Sequence, residues 1–249
     1  MGHLIPLLEG GLIFLALEIF LLKPVFLIYV VLAITILIFL GILIPKQRFL
    51  DGAEFWHYIF NPLIFIWSAI LLLLFFENTY FKHFFALGAA VYIIFYFENL
   101  FYYVSSGKEK NEENFSRTTN IMNVVSVFFL AAGLYGVKTF IQLPTWILAT
   151  VFFALSSTLI YGAFWVIKPV WRDIILEIFI VALIVTELFI ALSFLPIGFY
   201  ADGAILGIIY YMLAGIMTNF LKKGEAPYRR YLAIGSLLLL FVIATAKWM

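Results

Sequence analysis

Four glutamates, Glu18, Glu98, Glu177 and Glu187, lie inside apolar runs long enough to cross a lipid bilayer. A carboxylate in such a place can carry a proton, hold a small cation or accept hydrogen bonds, and it rarely faces lipid. Glu187 belongs to the run Asp173 to Pro196, DIILEIFIVALIVTELFIALSFLP, about 4 Å from the midpoint at 1.5 Å per residue. A charge at a helix centre opposes insertion by roughly 2.5 to 3.5 kcal/mol, whereas each Leu, Ile, Phe or Val contributes about −0.3 to −0.6. The sixteen such residues from Ile174 to Leu195 outweigh the two glutamates, so insertion alone demands no function of Glu187. Under the orientation argued below, Glu98 lies about 6 Å toward the cytoplasm, Glu18 about 7 to 8 Å outward and Glu177 about 11 Å inward. No Lys, Arg or His is expected at comparable depth. Each acid should therefore be neutral and hydrogen-bonded, hydrated, or matched by a bound cation.

A second constellation falls on two consecutive segments. Tyr92, Tyr96, Asn99 and Tyr103 recur at helical spacing beside Glu98, and Thr119, Asn123 and Ser126 do so in the next segment. A short connection would make the two helices antiparallel neighbours, so that Glu98, Asn99, Asn123 and Ser126 converge in their cytoplasmic halves. Helix-to-helix hydrogen bonding and a solvated, substrate-facing cavity both fit that pattern. Gly203, Gly207 and Gly215 form a small-residue row that permits close helix packing, within the bundle or across an oligomer face.

Other chemistries lack their residues. There is no cysteine, and the three histidines, His3, His57 and His83, are scattered, so no metal site is expected. Nucleophile-elbow, phosphate-loop and zinc-protease motifs are missing, and no lysine sits mid-helix for a Schiff base. No cofactor is expected, and enzymatic activity is the less favoured reading. Asp51, Glu54 and His57 could make a small acid/base or cation site, although isolated loop charges explain them equally simply.

The elements that must position these groups are transmembrane helices. Of the 249 residues, 65% are hydrophobic and 12% charged, with a mean hydropathy of +1.12, against about 45 to 50% and 25% in soluble domains. The sequence predicts an all-α, polytopic transmembrane bundle of about nine helices forming a single membrane domain over residues 1–249. The segments are 4–22, 24–44, 55–76, 84–104, 119–137, 145–167, 174–195, 204–221 and 231–247. The first is expected to be a retained helix rather than a cleaved signal, because it lacks a basic leader and Glu9 and Glu18 interrupt it. The polar stretch Ser105 to Arg117, SSGKEKNEENFSR, is expected to be a mobile solvated linker.

Counting Lys and Arg on alternate sides gives 11 against 4, which places the N-terminus in the cytoplasm and the C-terminus outside. Lys46, Arg48, Lys222, Lys223, Arg229 and Arg230 all fall on the basic side, where they could also meet anionic headgroups. A net charge of +1 gives no reason to expect nucleic acid as a partner. The partners expected are the lipid bilayer and a homo- or hetero-oligomer through helix eight, in a cell (inner, cytoplasmic) membrane. The leading functional expectation is a proton- or cation-coupled transporter or permease for a small solute, with Glu18, Glu98, Asn99, Asn123, Glu177 and Glu187 as path residues. A non-catalytic subunit of a membrane complex is the alternative, and an intramembrane enzyme acting on a lipid or isoprenoid is a third.

Overall fold

The computed structural model describes residues 4–49, 52–105, 108–165, 171–223 and 228–246. Among them the chain is all helical: α1 (Leu4–Leu22), α2 (Leu27–Phe49), α3 (Gly52–Leu73), α4 (Thr79–Ser105), α5 (Lys108–Ile141), α6 (Thr145–Trp165), α7 (Trp171–Leu192), α8 (Phe199–Lys223) and α9 (Tyr228–Thr245). A single 3-10 turn, Pro24–Phe26, opens α2. Eight of these helices are long and apolar enough to cross a membrane, and α3 holds a shorter apolar stretch, Tyr58–Leu73. This is a multi-pass membrane protein with lipid-facing apolar helices. Leucine, isoleucine and phenylalanine line the exposed faces as well as the core, as expected where the solvent is itself hydrocarbon.

Two compact units make up the chain, residues 1–122 and 123–249, and the division falls within α5. In the first unit α1 packs against α4 and α2, and α3 packs against α2 and α4. In the second, α6 packs on α7, α7 on α8, and α8 on α9. Small residues set the closest approaches in the second unit. A Cβ at Gly203 would lie 2.7 Å from the Cβ of Ala132 on α5, and one at Gly207 would lie 3.1 Å from Phe128 Cβ. Gly215 instead lies against the Tyr231 ring of α9.

The polar stretch 105–117 differs most from expectation. From Lys108 on it is not an irregular linker, because α5 already begins there and runs for 34 residues. At 1.5 Å per residue α5 is about 51 Å long, well beyond a hydrocarbon core of about 30 Å. Phe115 supplies the reason. It is almost fully buried and its ring lies 4.9 Å from Tyr103, 5.6 Å from Tyr58 and 5.7 Å from Tyr96. One aromatic anchor thus docks a polar sequence onto α3 and α4 and holds it helical. At its far end α5 stops where Gln142 turns left-handed (φ 59°), two residues before Pro144 opens α6.

Proline inside α3 leaves a second packing problem. Pro62 has no N–H to give to the carbonyl of Tyr58, four residues earlier. The hydroxyl of Tyr96 on α4 donates to that carbonyl at 3.1 Å, so a tyrosine of the neighbouring helix replaces the missing backbone donor.

Candidate functional site

The polar groups gather in two places, one in each unit. In the first unit the organising helix is α1. Glu18 points to α4, where His83 Nδ1 lies 2.7 Å from Oε2 and 2.9 Å from Oε1. The two side chains are 22% and 38% exposed. With its proton on Nδ1 the ring donates to the carboxylate, and Nε2 is left to accept a second proton. The expectation that Glu18 has no basic partner is therefore wrong. α1 and α4 are not consecutive in the chain, and His83 lies 65 residues from Glu18.

Glu9, half a helix away on α1, is the acid that sequence reasoning passed over. It is only 5% exposed, and neither carboxylate oxygen has a hydrogen-bond partner among the described residues. Its carboxylate occupies the place where a side chain at Gly41 of α2 would be. The signal available in the sequence was a glutamate in an apolar run facing a helix with a glycine at matching depth. The nine-position separation of Glu9 and Glu18 places them about 13.5 Å apart along the axis and about half a turn round it. One helix thus presents a buried acid to α2 and an acid-imidazole pair to α4.

The stripe on α4 is used largely for packing. Tyr92 donates to the Thr118 carbonyl at 3.1 Å, Tyr96 to Tyr58, and Tyr103 stacks on Phe115. Asn99 is half-buried and turns back to donate to Phe95 of its own helix at 2.8 Å, and Glu98 beside it is also half-buried. In the second unit, Asn123 is fully buried and donates to the Leu159 carbonyl of α6 at 2.9 Å. Ser126, one turn on, is likewise buried. Asn99 and Asn123 each commit a donor to a backbone carbonyl inside their own unit.

The α7 acids diverge. Glu177 is half-buried with Oε2 out of hydrogen-bond reach of any described group, whereas Glu187 is exposed on the apolar surface of the helix.

Compared with protein-family models, curated proteins and solved structures, the chain matches none. The reading of its sites rests on their own geometry.

The second gathering lies where the C-terminal end of α5 meets the start of α8. Lys138 donates to the Ser193 carbonyl just past α7, with Nζ 5.3 Å from the centre of the Phe194 ring. Asp202, in the first turn of α8, is 4% exposed, and the charge of Lys138 acts on its carboxyl group. Tyr135, one turn before Lys138, donates to the Phe189 carbonyl at 2.8 Å and stacks on that ring. The start of a helix is where an aspartate is electrostatically favoured, and the lysine adds a counter-charge. Lys138 and Asp202 are 64 positions apart, although both residues fall on the same predicted side of the membrane.

The acid and histidine set Asp51, Glu54 and His57 lies outside the described residues and side chains. Among the described residues, no group of three or more His, Asp or Glu is placed to hold a metal ion.

Proposed function

We propose that the protein moves protons, or a small solute coupled to protons or cations, across the membrane, and that Glu18 and His83 form its protonatable pair. The observation that carries this reading is the 2.7 Å approach of an imidazole to a carboxylate between two membrane-length helices. An ionisable group at that depth is costly, and one that can exchange a proton with a neighbour relieves the cost in either state. Glu9 adds a second acid on the same helix, in the other half of the bilayer. Glu98, Asn99 and Asn123 then act chiefly in packing. The charge asymmetry supports a cytoplasmic N-terminus and an external C-terminus in a cell membrane, so that Glu9 serves the inner half and Glu18 with His83 the outer half.

Proteoliposomes carrying a pH gradient and an internal fluorescent pH dye test the proposal. The wild-type chain should dissipate the gradient faster than protein-free vesicles, and Glu18→Gln and His83→Gln should each slow it about a hundredfold or more, the low end of what a positioned proton-transfer group contributes. Wild-type vesicles no leakier than empty ones would remove the transport reading. Unchanged flux in both variants would remove the pair from it.

A second reading, a subunit of a larger membrane complex, is supported by Glu187. That acid lies on a face of α7 otherwise made of exposed Leu183, Ile184 and Ile190. A mid-helix carboxylate on a lipid-facing surface is relieved by a protein partner that covers it.

A further inference from the structure

The second unit holds a groove of about 470 Å³ between α5, α8 and α9. Val124, Phe128, Gly207, Ile234 and Leu238 contribute to its walls, and Tyr211 is the one lining residue with a polar side-chain atom. All three helices are membrane-length, so the groove lies at hydrocarbon depth. On the α8 wall, Gly207 lets the helix approach Phe128 of α5 closely, and Ala204, about one turn earlier, adds a second small residue to the lining. α9 is the loosest of the three, with Gly235 as its buried residue.

The register of α9 ties this groove to a charge. Ile234 and Leu238 line it, and Arg230 is one turn earlier on the same face, at the i, i+4, i+8 spacing. Arg230 is exposed, and helical side chains lean toward the N-terminus of their helix, which carries its guanidinium outward from the groove to the headgroup level. Arg229 is also exposed but lies about 140° round the helix from Ile234. Tyr231 faces α8, where it packs on Gly215 and its hydroxyl accepts from Asn219 at 2.9 Å, closing the side of the groove next to the arginine.

We propose that this groove is a specific site for an anionic phospholipid, one acyl chain lying between α5, α8 and α9 and the phosphate resting on Arg230. A volume within the range of small-molecule sites, apolar walls and an arginine in register with the groove at its membrane-surface end match that ligand. A zwitterionic lipid would fill the groove equally well but would carry an ammonium near the arginine.

Native mass spectrometry of the full chain in detergent, titrated with phosphatidylglycerol or phosphatidylcholine of identical acyl chains, tests this. The first phosphatidylglycerol should bind about fivefold more tightly than phosphatidylcholine, the size of one arginine's interaction with an anionic lipid. Arg230→Gln should abolish that preference and Arg229→Gln should leave it. Leu238→Trp, which fills the groove, should weaken both lipids; Ala204→Leu on the opposite wall gives the same readout should the tryptophan variant not fold. Equal wild-type affinities for the two lipids, equal losses in the two arginine variants, or undiminished binding with the groove filled would each overturn the proposal. None of these readouts depends on transport.

Discussion

Tyr96→Phe removes one hydroxyl from a fully buried residue and leaves its packing against Phe97 and Phe115, both 5.7 Å away, in place. What is lost is the donor at 3.1 Å to the Tyr58 carbonyl, which Pro62 already deprives of its helical partner. Hydrogen bonds between membrane helices average about 0.6 kcal/mol and reach about 1.7. A buried acceptor left with no donor costs about 1 to 3 kcal/mol. The substitution should therefore destabilise the first unit by about 1 to 2 kcal/mol, above the membrane average, because the acceptor belongs to a fully buried residue. Pro62→Ala restores an N–H that can reach the same carbonyl. In that background Tyr96→Phe should cost no more than about 0.5 kcal/mol, a coupling of about 1 kcal/mol. Reversible unfolding in mixed micelles, titrated with SDS, on the four proteins of the cycle measures it. Equal costs in the two backgrounds would show that Tyr96 does not replace the donor missing at Pro62.

Gly203→Ala places a methyl 2.7 Å from Ala132 Cβ and 2.8 Å from its backbone nitrogen, so α5 and α8 must part; the net cost should be about 1 to 2 kcal/mol after the gain in helix propensity. Gly88→Ala, with nothing within 4 Å, should stabilise by up to about 1 kcal/mol, and the same SDS titration orders the two; a Gly203 variant as stable as the Gly88 variant would contradict the close approach. In the second polar gathering, Lys138→Met should destabilise more in the wild-type background than alongside Asp202→Asn, because it removes the counter-charge of a buried carboxyl group in the first case and not in the second. Equal losses in a thermal unfolding cycle would mean that the two charges are not coupled.

Much of the architecture could be read from apolar runs and the charges between them, because hydrocarbon tolerates few backbones other than a helix. Helix ends were less legible. At α5 the polar composition of residues 108–117 argued for a solvated loop, yet one phenylalanine among three tyrosines decides the local structure. Composition averages over such a residue, whereas packing depends on it. Pro62 is the opposite case: a proline inside an apolar run implies a missing backbone donor from its chemistry alone, and only the identity of the replacement donor, 38 residues from the acceptor, needs the structure.

The acids show why a site is harder to read than a fold. Depth along a helix is a one-dimensional property, and arithmetic assigns Glu18 and His83 to the same, outer end of their predicted segments. Which helix lies opposite is not one-dimensional. α1 finds its basic partner on α4 rather than on the helix that follows it, and Asp202 finds Lys138 from the start of α8. In each case the sequence held both residues at compatible depths, and what it lacked was the adjacency of non-consecutive helices. Glu187, the acid with the most central position, lies instead on an exposed face. Centrality measures the cost of a charge in the membrane; only the neighbouring helix shows how that cost is met. Glu18 has an imidazole to meet it and Glu187 has none among the groups described on α7, so the two acids call for different experiments: proton flux for the first, and a search for a covering partner for the second.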